Sequence, residues 1–338
     1  MKELKICPGT LQEGYTTYSP KALRQLFNGK TVSHNLKYKV SDAKKEQRTL
    51  LNENRTRISI SGVQEKFSLK LEKKELVLTN KMGEYILKPI PTDLDHVEDV
   101  PANEHVTMQI AGQVYKLDVA PNGLIFFADD EPAYITKRFD GMPDGNRCLK
   151  EDFASLLQKT SEQQGNKNFK YESSYYEMGK AIDVLLPVAI IAKENLFKLC
   201  VFNYLFSNGD AHLKNFSVID YYQDGLYRLS PAYDLICTRL HISDSDFALE
   251  NRLYEGDYNH PSFTHYGFHA YDDFYDFGIM LGLVPKRITQ FLGLFLSKTK
   301  EVESLIGRCF LSEELKPIYL EHYYDKLKRL QLSLSGKI

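Results

Sequence analysis

Apolar residues change their spacing partway along the chain. Between Ile58 and Pro91 they come in short alternating runs, RISIS, FSLKLE, ELVLT and EYILKPI, which predict strands. Ahead of them Ser19-Pro20-Lys21 gives an N-cap and a first-position proline for a short helix that Gly29 closes. A helix is expected over 102–115, after Pro101, and a hairpin over 124–127 and 133–139 around Asp129-Asp130-Glu131-Pro132. Beyond Phe139 the apolar spacing turns helical over 151–160, 174–185 and 188–206. A short hairpin is expected over 216–220 and 226–229, about Gln223-Asp224-Gly225. Helices then resume, with start signals at Val284-Pro285 and Ser312-Glu313-Glu314. The sum is an α+β chain with a β-rich first lobe and a helical second lobe, and no repeat or low-complexity tract.

A length of 338 residues fits about two domains or one two-lobed enzyme. With 43% hydrophobic and 26% charged residues, collagen-like, disordered and disulfide-scaffold classes are excluded. The longest apolar stretch, 184–192, is nine residues and contains Pro187, too short to span a bilayer. The opening MKELKICPGTLQEG lacks the apolar core of a signal peptide. Cys7, Cys148, Cys200, Cys237 and Cys309 are far apart and form no CxxC, so reduced thiols in a cytoplasmic protein are expected. Charge is uneven: residues 1–90 hold 18 Lys+Arg against 9 Asp+Glu, whereas residues 91–270 hold 15 against 27. Either solvated faces differ in sign, or a basic lobe handles phosphates beside an acidic lobe that holds metal.

The most informative stretch is SNGDAHLKNF, at the end of a hydrophobic helix, followed by Ala232-Tyr233-Asp234. Its spacing suits phosphoryl transfer. Asp210 can orient or accept the proton of an attacking hydroxyl. Asn215 offers an amide oxygen to a divalent metal, and Asp234 a carboxylate to the metal that bridges nucleotide phosphates. Gly209 would allow a tight path out of the helix, and Lys214 could neutralise charge on the phosphoryl group. An isolated Asn-Gly-Asp is commonly a turn. D-x-H-x-x-N with a second Asp after a hairpin is much rarer, which favours the catalytic reading.

Two further segments are less specific. In Arg57-Ile58-Ser59-Ile60-Ser61-Gly62-Val63-Gln64-Glu65-Lys66 the residues alone favour an alternating strand and a turn, although backbone N–H groups there could meet phosphate oxygens. Lys88, in YILKP, reads as a snorkelling edge residue, yet Glu104 follows sixteen residues on at a helix start, the order of a kinase's phosphate-binding lysine and its glutamate partner. His260, His265 and His269 are expected in surface or core roles rather than as metal ligands. Twenty-two Tyr and no Trp point to packing, and no basic-aromatic motif supports direct nucleic-acid binding.

With ISISGVQEK, YILKP, PANEH, TKRFDG, KEDF, NGDAHLKNFS and LSPAYD in view, the chain resembles the HipA family of bacterial toxin serine/threonine kinases from about Ile58 onward. The resemblance implies a two-lobed kinase fold, with 1–136 as the first lobe, 137–141 as a hinge and 142–338 as the second, binding ATP and Mg²⁺ between them. It makes Asp210 the catalytic aspartate, with Lys214 beside it, Asn215 and Asp234 the metal ligands, and Lys88 the ATP-phosphate lysine with Glu104. The phosphate loop would include Ser61, Gly62, Val63, Gln64, Glu65 and Lys66. Lys137, Arg138 and Phe139 would face adenine, Asp140 the ribose, and His212 and Tyr233 the nucleotide. Ser59 aligns with the family's autophosphorylated serine, and Ser61 adds a second hydroxyl where longer members usually carry a small apolar residue. That feature and the early phosphate loop resemble the short HipT branch. The implied partners are then a small HipS-like subunit, a HipB-like DNA-binding antitoxin and a translation component as protein substrate, in a bacterial cytoplasm without membrane attachment. An aminoglycoside- or choline-kinase-like phosphotransferase and a nucleotide-binding pseudokinase are the alternatives. The Ser-Ile-Ser-Gly and KRFDG segments argue against the first, and the joint presence of Lys88, Asp210, Asn215 and Asp234 against the second.

Overall fold

The computed structural model describes residues 4–53, 65–80, 83–142, 145–160 and 168–337, so the expected RISIS strand and Ser59, Ser61, Gly62, Val63 and Gln64 lie outside the described residues. The chain opens with α1 (Pro20–Phe27), where the Ser19 hydroxyl accepts from the Ala22 N–H at 3.2 Å and Asn28 and Gly29 end the helix at φ 54° and 80°. A second helix, α2 (Val40–Glu53), has too few apolar positions for its periodicity to register in the sequence.

Alternation then builds a sheet. Strands β1 (Phe67–Glu72), β2 (Glu75–Leu78), β3 (Tyr85–Lys88), β4 (Asn122–Phe126) and β5 (Pro132–Lys137) pair antiparallel in the order β2-β1-β3-β5-β4. Phe67, Leu69, Leu71, Tyr85 and Leu87 are buried in a cluster shared with Leu26 and Phe27 of α1. Helix α3 (Val100–Gln113) contacts β4 and β5 and also the helical region. It is buried from Val100 to Ala111 without interruption, as a helix packed on more than one side must be. Several of its polar residues are accordingly paired, whereas both ring nitrogens of His105 are buried without a hydrogen-bond partner. Asn103 exchanges hydrogen bonds with the backbone of Cys237 at 2.8 and 3.1 Å, and the Thr107 hydroxyl lies 2.8 Å from that of Tyr319.

The expected helix over 151–160 is shortened. Residues 149–152 form β6 (Leu149–Asp152), which pairs with β7 (Ser217–Asp220), itself paired with β8 (Arg228–Leu229). Asp152 then caps only the single turn α4 (Phe153–Leu156), accepting from the Ser155 N–H at 2.9 Å. Strand pairing has overridden the local helical pattern. Helices α5 (Tyr175–Leu185), opened by a Ser174–Glu177 capping box, and α6 (Ala189–Leu205) match expectation. After α7 (Pro261–Tyr266), which contacts the helix that follows it, α8 (Tyr271–Met280), α9 (Pro285–Leu296), α10 (Thr299–Gly307) and α11 (Leu315–Leu330) share their core.

Tyrosines fill this core and pass their hydroxyls to backbone carbonyls: Tyr204 to His269 and Tyr254 to Asp273 at 2.6 Å, Tyr175 to Ala211 at 2.8 Å. His260 caps α7 and pairs with Asp276, and His269 pairs with Asp273, so both hold packing together. All five cysteines are buried. Among the described residues no helix is long and apolar enough to cross a membrane.

His105 is fully buried in α3, and burial pulls its imidazole down to about 3, so it is neutral in the fold. Between about pH 6.5 and that value the unfolded chain holds the extra proton, so stability falls as pH is lowered through the window. The difference in unfolding free energy between the parent protein and His105→Gln, from urea titrations, is expected to shift against the parent as pH falls from about 6.5 to 4, by up to about 1.4 kcal/mol per pH unit. A difference that stays constant over that range would refute this.

Candidate active site

Lys88 is not an edge residue. Its strand β3 lies between β1 and β5, and the side chain is only 5% exposed. Its ammonium reaches Glu104 Oε1 of α3 at 2.6 Å and Asp234 Oδ1 at 2.6 Å, and sits 5.3 Å from the centre of the Tyr134 ring. Burial opposes the charge on Lys88, but Asp234 and then Glu104 hold its pKa above the usual lysine range. Burial would likewise raise the Asp234 carboxyl, yet Lys88 and then Lys66 hold it well below the ordinary carboxylate range. Glu104, buried in the helix, is pushed up by desolvation despite Lys88. Lys66 Nζ lies 3.8 Å from Asp234 Oδ2, completing two cations on two carboxylates.

Asp234 reaches this cluster through its backbone. Val119 and Ala232 form a parallel bridge, with the Ala120 N–H donating to Ala232 O at 2.9 Å and the Ala232 N–H to Asp118 O at 2.8 Å. Two residues on, Asp234 stands at φ 57°, a left-handed conformation that a non-glycine residue keeps only when its surroundings enforce it. Tyr233 beside it bonds Ser217 Oγ at 2.5 Å, and its ring is 5.7 Å from that of Phe139. Lys150 Nζ sits over both rings, 5.6 Å from Phe139 and 5.2 Å from Tyr233.

The Asn-Gly-Asp segment leaves the end of α6 and is pinned to the irregular segment that carries Asp234 and Thr238. The Asn208 amide donates to Asn203 Oδ1 at 2.9 Å and lies 3.5 Å from Asp234 O, and the Gly209 N–H donates to Thr238 Oγ1 at 2.8 Å. Gly209 is required for space rather than for a left-handed turn. A Cβ there would stand 2.2 Å from Asp244 Oδ2 and 2.6 Å from Ser245 O. Asp210, 48% exposed, accepts from the Tyr171 hydroxyl at 2.9 Å, and His212 Nε2 lies 3.8 Å from the same oxygen. Burial lowers His212, keeping it neutral, and its Nδ1 is buried without a hydrogen-bond partner. The Asn215 side-chain N–H₂ donates to Asp210 O at 2.9 Å, and its Oδ1 is an acceptor. Lys214 is exposed, 6.0 Å from the Phe169 ring centre.

Other expected residues are placed differently. Lys137 Nζ reaches Asn28 Oδ1 at 2.5 Å, at the end of α1, and Glu65 pairs with Lys44 at 2.7 Å, so neither side chain joins the cluster. Arg138 grips Asp140 through Nε at 3.0 Å and Nη2 at 2.6 Å, and Arg147 adds a third contact at 3.3 Å. Tyr171 carries no sequence signal, lying 39 residues before the aspartate it contacts. Lys150 opens the KEDF segment, but its place over Phe139 and Tyr233 depends on tertiary contacts.

Oxygen donors dominate the described centre, and among the described residues no group of three or more His, Cys, Asp or Glu could hold a metal. Asp234 and Asn215 Oδ1 suit a hard cation that takes few protein ligands and shares the rest with phosphate and water.

The HipA-like C-terminal domain family matches residues 58–301. Over 337 residues, 95% of this chain and 94% of the relative, the sequence is 28% identical to a putative kinase of Haemophilus influenzae. Over 216 residues, 59% of this chain and 49% of the relative, it is 34% identical to a putative kinase of Sinorhizobium fredii. Among solved structures, the fold is similar to the Shewanella oneidensis toxin–antitoxin complex of HipA, HipB and operator DNA, with a TM-score of 0.59 at 20% identity over 83% of this chain and 68% of that one. The Helicobacter pylori proinflammatory kinase CtkA matches with a TM-score of 0.51 at 17% identity, covering 75% of this chain and 90% of that one. At such identities the likeness is one of fold, and that fold is kinase-like.

Gly209→Ala is expected to cost about 1–3 kcal/mol, because Asp244 and the Ser245 backbone must move to admit the methyl. Equilibrium denaturation checks it; unchanged stability would show that 244–245 yields freely.

Proposed function

The chain belongs to the HipA-like family, and on that premise we propose that it is an ATP-dependent serine/threonine protein kinase, the toxin of a toxin–antitoxin system most like the HipT branch. The observation that carries the reading is the Lys88–Glu104–Asp234 cluster, with the Lys88 ammonium 2.6 Å from each carboxylate, and with Asp210 and Asn215 on a loop pinned to the segment that carries Asp234.

In this reading residues 1–136 and 142–338 are the two lobes and 137–141 the hinge. Lys88, held in place by Glu104, binds the phosphates of ATP. Asp234 and Asn215 hold Mg²⁺, which when bound neutralises charge on the bridging phosphates. Lys66 and the backbone of Ser61, Gly62, Val63, Gln64 and Glu65 line the phosphate loop. Phe139 and Tyr233 flank the base, while Lys137, Arg138, Asp140 and His212 border the nucleotide. In the free protein the Asp140 carboxylate is engaged by Arg138 and Arg147, so contact with a ribose would require it to share those bonds. Asp210 accepts the hydroxyl proton of the protein substrate as the substrate's hydroxyl oxygen bonds to the γ-phosphorus and the bond from that phosphorus to the departing ADP oxygen breaks, and Lys214 offsets charge on the transferred group.

The substrate proposed is a translation component. The Shewanella protein with this fold is found with HipB and operator DNA. A HipB-like antitoxin and a small HipS-like subunit are accordingly proposed as partners here, in a bacterial cytoplasm. Ser59 and Ser61 are proposed autophosphorylation sites. A phosphate of about −1.5 to −2 charge on that segment would compete with ATP for the phosphate loop and restrain the kinase.

Dephosphorylated protein incubated with Mg²⁺ and ATP is expected to gain phosphate on the Ser59–Ser61 peptide by tandem mass spectrometry. Asp210→Asn should lower transfer by about 10²–10⁴-fold while nucleotide binding stays near that of the parent protein. Asp234→Asn should weaken Mg²⁺-nucleotide binding as well. Phosphorylation of small alcohols with no labelled protein would replace this reading with the small-molecule phosphotransferase, and nucleotide binding without any transfer would replace it with the pseudokinase.

Tyr171→Phe removes the hydroxyl that donates to Asp210 and helps to orient its carboxylate. Phosphoryl transfer is expected to slow by about ten- to a hundredfold in this variant while nucleotide binding stays near that of the parent protein. An unchanged transfer rate would mean that Tyr171 has no influence on Asp210.

A further inference from the structure

A cavity of about 380 Å³ lies apart from the cleft, between α1, α3 and the start of β4, and shares no lining residue with the Lys88–Asp234 cluster. Its volume is within the range of small-molecule sites. A chain of carboxamides crosses its lining. The Gln113 amide donates to Thr10 O at 2.9 Å and to Gln109 Oε1 at 2.7 Å, Gln109 donates to Asn122 Oδ1 at 2.8 Å, and Asn122 donates to Ala120 O at 2.9 Å. Gln109 and Asn122 are buried, so this is a built polar surface rather than a loose rim. The chain ends at Gln113 Oε1, an acceptor with no partner among the described residues.

Lys21, exposed and without a partner among the described residues, lines the cavity with Lys116, whose Nζ donates to Gln113 O at 2.7 Å and keeps two further N–H groups. Asp118 lines it too. Two ammonium groups suit a phosphate, a carboxylate suits a ribose diol, and the remaining Gln113 Oε1 can accept from the exocyclic amine of a base such as adenine.

The cavity walls run on into the cleft. Residues 118–120 line it and also make the backbone bonds to Ala232, two residues before Asp234. Helix α3, which gives Met108, Gln109, Gly112 and Gln113 to the cavity, carries Glu104 one turn earlier. A Cβ on Gly112 would stand 2.9 Å from Val119 Cγ2, so helix and loop are in close contact at this wall. The opposite wall, from Gly9 to Gln25, precedes the 58–301 family match.

We propose that this cavity is a second ligand site, for a nucleoside 5′-monophosphate, and that its occupation changes nucleotide affinity in the cleft. The coupling rests on the proposed function of the cleft, whereas the site itself does not.

The test is calorimetry with AMP, and with inorganic phosphate in a parallel arm, on protein whose cleft is filled by AMP-PNP and Mg²⁺. AMP should still bind. The doubly reversed Lys21→Glu/Lys116→Glu variant, altered only at exposed side chains, should lose at least about tenfold in AMP affinity. Gln113→Leu should weaken AMP but not phosphate. AMP should change the AMP-PNP dissociation constant by about fivefold or more, and AMP-PNP should change that of AMP by the same factor. No AMP binding with the cleft filled, or AMP binding indifferent to Lys21 and Lys116, overturns the site. Equal binding of phosphate and AMP overturns the nucleotide class, and binding with unchanged AMP-PNP affinity overturns the coupling. If AMP-PNP itself fails to bind, the cleft reading fails, and AMP titrated alone against the Lys21/Lys116 variant still decides the cavity.

Discussion

Lys88 is an ammonium group sealed between a central strand and a buried helix, and the arrangement around it follows from keeping it charged there. An unpaired buried cation would lose its proton or destabilise the fold. Two carboxylates at 2.6 Å keep the charge, but two anions on one cation leave the trio negative, and burial accordingly pushes Glu104 up. Lys66 offsets that excess from the open side, at 3.8 Å from Asp234. Asp234 is thus the one carboxylate of the pair that also faces the cleft, with 29% of its side chain exposed.

Helix α3 turns this local requirement into a global one. Because it is buried along most of its length, its polar side chains need partners, and Asn103, Glu104 and Thr107 find them in distant parts of the chain, while the His105 ring stays unpartnered. Glu104 takes Lys88, Asn103 takes the backbone of Cys237 three residues after Asp234, and Thr107 takes Tyr319 of α11. Sheet, cleft and helical region are therefore referenced to one element. The Asp118–Ala232 backbone bonds do the same from the other end of that helix, and the proposed second ligand site lies where these two supports meet.

The loop carrying Asp210 is fixed by different means. Asn208, Gly209 and Asn215 all spend side-chain or backbone hydrogen bonds on holding the loop, two of them to the segment around Asp234 and Thr238. Asp210 itself is left half-exposed with the Tyr171 hydroxyl on one oxygen. That contact leaves the carboxylate solvated and oriented at once, which suits a group that must meet a substrate hydroxyl. His212, neutral and with a buried unpartnered nitrogen, sits edge-on to the same tyrosine at 5.3 Å.

The order of strands before helices, the Ser19 cap, the Ser174 helix start and the Asp/Asn/Asp spacing were all legible in the sequence, because each depends on residues close along the chain. What needed the tertiary structure was every property set by distant partners. Lys88 read as an edge lysine until β1 and β5 enclosed its strand. The helical pattern after Glu151 gave way because Ser217 and Val218 offered strand partners instead. Gly209 read as a flexible turn residue, whereas its need for hydrogen in place of a side chain comes from Asp244, 35 residues on. Tyr171 was invisible, since nothing local to it marks a contact with Asp210. Local hydrogen bonding and periodicity are written in neighbouring residues; burial, and the charge states that burial imposes, exist only once the chain has closed on itself.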